Sequence, residues 1–183
     1  MAEKLRIGIL FGGRSGEHDI SLMSARSVAR AMNMDKYEVS LIGISKEGKW
    51  IGGEDPMQAL ASGEEGPEAV LLATPHRKML MQLSSSSESG MFNLEDMGQL
   101  DVVFPVLHGT FGEDGSIQGL FELADIAYVG SGVVGSAACM DKAIFKAIMV
   151  SGGVPVLPFM LINRSSLEVD ADCVLARVEA RLS

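Results

Sequence analysis

Residues 9–21 read Ile-Leu-Phe-Gly-Gly-Arg-Ser-Gly-Glu-His-Asp-Ile-Ser. An apolar strand runs into a glycine-rich turn, and the carboxylate of Glu17 lies just before the start of a helix. In open α/β sheets, small charged ligands bind at this position, where backbone N–H groups meet the carboxyl end of a strand. The stretch therefore predicts an α/β fold with a ligand site after its first strand.

The elements on either side of this turn follow an alternating order. The sequence predicts a buried strand over residues 5–11, a helix with Asp19 as its N-cap, and a second strand over residues 37–45. This order predicts a right-handed crossover within a parallel sheet. A turn at residues 46–49 then predicts a hairpin with the short apolar segment that follows it.

Regular structure is predicted again in the second half of the chain. A buried strand over residues 101–107 leads into a loop that opens with His108, and Asp114 is the expected N-cap of the next helix. A further strand is predicted at residues 126–129. Between these parts, residues 52–98 contain short apolar pieces separated by glycine and serine, which we interpret as a solvated insertion of short strands and loops.

A helix is predicted from Asp141, its expected N-cap, through about Val150, and the last predicted helix carries an apolar stripe from Ala171 to Leu182. Ile144, Ala147 and Ile148 recur at helical spacing and are expected to point inward. The two cysteines, Cys139 and Cys173, are expected to be reduced thiols in the core.

The composition excludes several classes of protein. The chain has 183 residues, 47% of them hydrophobic, with a mean hydropathy of +0.24, which is typical of a compact α/β protein rather than a disordered one. Its formal charge of −9 argues against nucleic acid or an anionic membrane as a partner. The sequence has no signal-peptide pattern and no apolar run long enough for a membrane helix, so we expect a cytoplasmic protein. Neither the cysteines nor His76 has a partner at metal-ligand spacing.

Glu17, His108 and Lys142 each have a structural and a functional interpretation. Glu17 is either a solvated residue of a tight turn or a fixed carboxylate that binds an ammonium group. His108 is either structural or part of a site at the same sheet edge as Glu17. Lys142 follows Asp141 at a helix start, where its ammonium is either solvated or bound to a phosphate.

Residues 130–135 match the pattern G-x-G-x-x-G after a predicted strand. A dinucleotide fingerprint also needs an acidic residue about 20 positions further on. None occurs between Asp141 and Glu168. We therefore interpret these glycines as a close-packed turn, and a nicotinamide-binding protein is a distant alternative.

Several motifs together resemble the D-alanine–D-alanine ligase family, in the same order and over almost the whole chain. They are residues 10–21, residues 107–115, Gln118-Gly119, Gly130-Ser-Gly-Val and Met140-Asp141-Lys142. Residues 52–98 carry little of this resemblance, which is consistent with a variable insertion.

The resemblance implies a Rossmann-like (pre-ATP-grasp) parallel sheet with flanking helices over residues 1–140. Residues 141–183 would be the truncated start of an ATP-grasp central domain. It further implies that ATP and Mg²⁺ are used to join two D-alanines through an acyl phosphate, for peptidoglycan precursor synthesis, in a homodimer. The phosphate loop and the Mg²⁺ ligands would lie after residue 183, so we expect this chain alone to be inactive.

By the same resemblance, Glu17 corresponds to a catalytic glutamate that anchors the ammonium of the first D-alanine. His108 corresponds to a histidine close to the substrates, and Lys142 to a lysine that contacts ATP. No metal ligand is expected within this chain. The alternatives are a non-catalytic amino-acid-binding module and a D-alanine–D-lactate ligase.

Overall fold

The computed structural model describes residues 3–63, 66–75, 77–85 and 92–182; His76 lies outside them. The chain forms two compact units, Met1–Ala137 and Ala138–Ser183. The strands are β1 (Leu5–Gly12), β2 (Tyr37–Ile44), β3 (Trp50–Ile51), β4 (Glu68–Leu71), β5 (Met79–Ser85), β6 (Phe92–Gln99), β7 (Val102–Leu107) and β8 (Ala127–Tyr128). The helices are α1 (His18–Ala31), α2 (Pro56–Ser62), α3 (Ser116–Leu123), α4 (Val133–Met140), α5 (Lys142–Ser151), α6 (Arg164–Val169) and α7 (Ala171–Leu182).

The first unit contains one mixed sheet in the order β6-β5-β4-β3-β2-β1-β7-β8. Strand β1 pairs in parallel with β2 and β7, and β8 pairs in parallel with β7. The predicted α/β fold and the β2–β3 hairpin are confirmed. Strands β3 to β6 pair antiparallel, so the sheet is parallel in only half of its width.

Residues 52–98 differ from the prediction of short strands and loops. They add helix α2 and strands β4, β5 and β6, which extend the main sheet. Asp55 caps α2 by accepting a hydrogen bond from Gln58 N, Pro56 occupies the first turn, and Gly63 ends the helix in the left-handed region. These are ordinary helix signals, but the helix is only seven residues long and carries little periodicity.

Strand β1 is buried on both faces, which explains its continuous apolar run. Ile9 and Phe11 pack on the face that carries α1, in a cluster with Leu22. Leu10 packs on the opposite face in a cluster with Phe121 of α3. Because both faces are covered by helices, the functional groups of this half of the sheet are left at the strand ends.

Two predicted helix caps are displaced by one or two positions. The N-cap of α1 is Glu17 rather than Asp19, which lies in the first turn. The N-cap of α3 is Gly115, with φ of 92°, rather than Asp114. Asp114 still accepts a hydrogen bond from Ser116 N at 3.0 Å, so its carboxylate binds the first N–H group of α3 from the loop before the helix.

In the second unit, the predicted cap of α5 is confirmed, because the Asp141 carboxylate accepts hydrogen bonds from Ala143 N and Ile144 N. The predicted inward stripe is wrong: no residue of α5 is buried, and Ile144 and Ile148 are 51% and 48% exposed. Periodicity predicts which residues share a face, but burial also needs a surface for that face to cover.

The cysteines were expected in the core, and this expectation is also wrong. Cys139 and Cys173 are both free and exposed. Each lies on a helix whose residues are mostly exposed, so the general preference of cysteine for burial is overridden locally. In the described part of the chain, no helix has both the length and the apolar character that crossing a bilayer requires.

A candidate ligand site at the carboxyl edge of the parallel strands

The N-cap of α1 and two serines within the helix lie at i, i+4 and i+7, close to the ends of β1 and β7. They are Glu17, Ser21 and Ser24. Side chains at this spacing share one helix face. Sequence reasoning identified Glu17 but not the two serines, although their spacing from Glu17 was the signal that could have found them.

Ser21 joins the ends of the two central strands. Its side chain is fully buried, and its Oγ accepts a hydrogen bond from Gly12 N at 2.7 Å and donates one to Val106 O. Gly12 is the last residue of β1, and Val106 is the last but one of β7. Ser21 therefore fixes α1 against both strand ends, because buried backbone groups need hydrogen-bond partners.

The Glu17 carboxylate lies beside the loop that follows β7. Its Oε2 is 2.9 Å from the position that a Cβ on Gly109 would occupy. Glu17 is exposed and makes no side-chain hydrogen bond as a helix cap. The carboxylate is thus held at the helix N-terminus, where negative charge is favoured, and remains accessible to a cationic ligand.

His108 is half-buried at the end of β7, and its Nε2 lies 3.2 Å from Ser24 Oγ. Among the described residues, its Nδ1 has no hydrogen-bond partner. The structure therefore brings His108 and Glu17 to the same edge of the sheet, because Glu17 lies beside Gly109, the residue that follows His108.

Two carboxylates of the loop between β7 and α3 accept hydrogen bonds from the backbone of the same loop and stabilise its conformation. Glu113 accepts a hydrogen bond from Gly109 N at 2.7 Å, and Asp114 accepts one from Phe111 N at 2.8 Å. Burial opposes ionisation of Asp114, but the hydrogen bonds from Phe111 N and Ser116 N outweigh it and lower the pKa of Asp114 below its ordinary value.

A cavity of about 230 Å³ opens beside His108, between the glycine turn, the β2–β3 turn and the start of α3. Most of its lining is apolar or backbone, with Trp50 and Leu107 among the lining side chains. The Arg14 guanidinium carbon lies 5.0 Å from the ring centre of Phe111, within cation–π range. The cavity is large enough for a small molecule, and its lining includes the polar side chains of Arg14, His108, Thr110 and Ser116.

A wider groove of about 930 Å³ lies between α1, the β2–β3 turn and α2. Its rim carries both signs of charge, including an ion pair of 3.6 Å between Lys46 and Asp19. Neither Glu17 nor His108 lines this groove. The residues that the sequence predicts for the site therefore lie outside this groove, and we place the candidate site at the strand edge.

Lys142 belongs to the second unit, where it is the first residue of α5 and is exposed. The Asp141 carboxylate accepts hydrogen bonds from Ala143 N at 2.9 Å and Ile144 N at 3.0 Å. Two N–H groups of this helix terminus are therefore already occupied, and the exposed ammonium of Lys142 is available to meet an anion.

A metal ion finds no ready ligand set in residues 3–63, 66–75, 77–85 and 92–182. No three His, Cys, Asp or Glu side chains cluster there as metal ligands would. These residues therefore offer no ready set of side-chain ligands for the Mg²⁺ that the family resemblance implies.

Comparisons with known proteins agree on one family. A family model described as "D-ala D-ala ligase N-terminus" matches residues 6–131. A D-alanine–D-alanine ligase of Natranaerobius thermophilus is 45% identical over 99% of this chain and 48% of its own length. A solved structure of the D-alanine–D-alanine ligase from Coxiella burnetii has a TM-score of 0.72 and 31% identity, covering 98% of this chain and 49% of that one.

A second solved structure, the VanG D-Ala:D-Ser ligase from Enterococcus faecalis, has a TM-score of 0.70 and 31% identity over 99% of this chain and 50% of that one. The chain spans about half the length of the curated relatives it matches.

Proposed function

Because the chain belongs to the D-alanine–D-alanine ligase family, we propose that the full-length protein joins two D-alanine molecules at the expense of ATP. The observation that carries this proposal is the exposed carboxylate of Glu17 beside Gly109, at the shared edge of β1 and β7. An ionised carboxylate at a helix N-terminus suits the ammonium group of an amino acid.

The chemistry proceeds in two steps. A carboxylate oxygen of the first D-alanine attacks the γ-phosphorus of ATP, and ADP leaves with the electrons of the broken bond. The amine of the second D-alanine then attacks the acyl phosphate, loses a proton and displaces inorganic phosphate. Glu17 contributes by fixing the first ammonium, since positioning alone supplies a large part of such rate enhancements.

His108 contributes to the same substrate site in this proposal. Its ring lines the 230 Å³ cavity and follows directly after β7, next to the residue that Glu17 contacts. A ring nitrogen at this position would hydrogen-bond one of the two amino acids.

Lys142 would contact a phosphate of ATP through its Nζ. Its exposure and the occupied N–H groups of Ala143 and Ile144 support a contact by the side chain rather than by the helix terminus. Mg²⁺ would neutralise phosphate charge during transfer, and its ligands would come from parts of the full-length protein outside this chain.

We further propose that residues 1–140 form the N-terminal domain of the ligase, with residues 52–98 as a variable insertion, and that residues 141–183 begin the ATP-grasp central domain. The division of the chain into units at residues 137 and 138 supports this boundary. The dipeptide would serve peptidoglycan synthesis, with the enzyme in the cytoplasm as a homodimer. Light scattering of the full-length protein tests the dimer, and a monomer at micromolar concentration would contradict it.

The test of the proposed function is ADP release by the full-length protein in the presence of D-alanine. Glu17→Gln should raise the KM for the first D-alanine by about 10- to 100-fold, because a charge-assisted hydrogen bond is lost. The matched control is Glu38→Gln, which removes an exposed carboxylate from β2. Unchanged kinetics in Glu17→Gln would remove Glu17 from the site.

The same assay separates the alternatives. A non-catalytic amino-acid-binding module would bind D-alanine without releasing ADP. The curated relatives are named for D-alanine, which does not favour D-lactate as the second substrate. The resemblance to a D-Ala:D-Ser ligase structure makes D-serine a useful competitor, and we expect D-alanine to be preferred over it.

A further inference from the structure

We propose that Ser24 is a positioning residue for His108, which it holds so that Nδ1, and not Nε2, faces the bound amino acid. The proposal rests on the proposed function for its ligand, but it concerns a residue and a ring nitrogen that the family resemblance does not assign. It begins from the distance of 3.2 Å between Ser24 Oγ and His108 Nε2.

The two ring nitrogens of His108 differ in their surroundings. Nε2 is engaged by Ser24, whereas Nδ1 has no hydrogen-bond partner among the described residues. In a neutral imidazole one nitrogen carries the proton and the other a lone pair, and the partner of one nitrogen decides which. If Nε2–H donates to Ser24 Oγ, the Nδ1 lone pair remains as an acceptor.

An acceptor at Nδ1 matches the chemistry of the proposed ligand. Ammonium and amine groups present N–H donors, so a site for them needs acceptors. Glu17 supplies a carboxylate beside Gly109, and His108 precedes that glycine directly. The two side chains would therefore offer a charged and a neutral acceptor at the same sheet edge.

Ser24 is itself held firmly, which a positioning residue requires. It lies less than one helical turn after Ser21, whose hydrogen bonds to Gly12 N and Val106 O fix α1 to both central strands. Ser27, the next serine of α1, behaves differently: its Oγ donates to Met23 O within the same helix, at 3.3 Å. Ser27 thus provides a matched control for the loss of a hydroxyl from this helix.

The first test is the tautomer of His108, read from side-chain ¹⁵N NMR spectra of the full-length protein labelled at histidine. The signals of His108 are assigned by their loss in His108→Gln. We expect the Nε2–H form in the wild type, in Ser24→Thr and in Ser27→Ala, and a mixture of both forms in Ser24→Ala. An Nδ1–H form in the wild type, or an unchanged spectrum in Ser24→Ala, would overturn the proposal.

The second test is kinetic. Ser24→Ala should lower kcat/KM for D-alanine about tenfold, as expected for one lost hydrogen bond, and Ser24→Thr should restore it. Ser27→Ala should change it by less than about twofold, as is usual for an exposed substitution. In a His108→Ala background, Ser24→Ala should cause no further loss, so independent, multiplying losses would overturn the proposal.

The two proposals fail in different ways. If the wild-type protein releases no ADP with D-alanine, the proposed function is wrong, and the NMR spectra still decide whether Ser24 sets the tautomer of His108. If ADP is released but Ser24→Ala alters neither the spectrum nor the kinetics, only the role of Ser24 is wrong.

Discussion

The two halves of the sheet differ in where their strands end. The parallel half consists of β2, β1, β7 and β8, and the antiparallel half of β3, β4, β5 and β6. Parallel strands end at one edge, so the turn after β1 and the loop after β7 meet there. Antiparallel neighbours send successive ends to opposite edges, and the candidate site residues of this unit lie only on the parallel half.

Burial separates the central strands of the parallel half from β6, the edge strand of the antiparallel half. The central strands β1 and β7 contribute residues to the clusters on both faces of the sheet. In β6, by contrast, seven of the eight residues are exposed and one is half-buried. The central strands therefore carry much more of the core than β6 does, and substitutions in β1 and in β6 should differ sharply in their cost to stability.

The largest difference is expected between two phenylalanines. Phe11 in β1 is fully buried, and Phe92 in β6 is 69% exposed. Phe11→Ala should lower the free energy of unfolding by about 3–5 kcal/mol, and Phe92→Ala by less than about 0.5 kcal/mol. Urea unfolding of the 183-residue chain, followed by the fluorescence of its single tryptophan, Trp50, measures both. Equal costs would contradict the comparison.

Two glycines with positive φ give the next largest contrast. Gly12 has φ of 92°, and a Cβ there would lie 2.2 Å from Ile44 O, whereas Gly98 has φ of 110° and open space around it. Gly12→Ala adds a clash with backbone to the conformational strain and should cost about 3 kcal/mol or more. Gly98→Ala should cost only the strain, about 1–2 kcal/mol. Urea unfolding measures both losses of stability. A smaller loss in Gly12→Ala than in Gly98→Ala would contradict the prediction.

A smaller loss is expected from Ser21→Ala. The substitution leaves Gly12 N and Val106 O without their side-chain partner in a fully buried position, which should cost about 2 kcal/mol. Ser27→Ala serves as the control on the same helix. Hydrogen exchange at the Gly12 amide should accelerate in Ser21→Ala only, and an unchanged rate would show that another group fixes the strand ends.

The smallest effect concerns Arg6 of β1 and Asp101, the residue before β7. Hydrogen bonds from Arg6 lower the pKa of Asp101 from 3.8 to about 2. A carboxyl group with a lowered pKa stabilises the folded state above its unfolded pKa, and this contribution is lost as the pH falls from about 3.8 through about 2. Both side chains are partly exposed, so Asp101→Asn should cost about 1 kcal/mol at neutral pH.

The measurement for Asp101→Asn is urea unfolding at pH 7 and at pH 3. The difference from the wild type should shrink at pH 3, because the wild type then loses part of the same contribution. A difference that grows on acidification would have the wrong sign for a lowered pKa.

The parallel half was predictable from the sequence, and the antiparallel half largely was not. Strands β1 and β7 are continuous apolar runs between glycine or polar turns, and these signals are local. Strand β6 alternates only from Phe92 to Leu94, and its pairing with β5 then shifts register between Met79 and Met81. An exposed strand with a bulge has no clear period of two, so its place in the sheet is decided by pairing rather than by its own pattern.

The residues of the candidate site were also only partly predictable from the sequence. Glu17 and His108 could be identified because each follows a strand that the sequence predicts. Ser21 and Ser24 were missed, since a serine within a helix usually has no special role. Their spacing from Glu17 was the one local signal, and their partners on the β7 side, Val106 and His108, lie more than 80 residues away. The exposed cysteines, Cys139 and Cys173, were missed because the residue type says nothing about whether its helix is covered.

The hydrogen bonds within the loop after β7 affect the affinity of this edge for a ligand. Glu113 and Asp114 already bind the N–H groups of Gly109 and Phe111, so the loop takes its shape during folding. A ligand arriving at this edge meets a preorganised surface, and little of its binding energy is spent on the conformational entropy of that backbone.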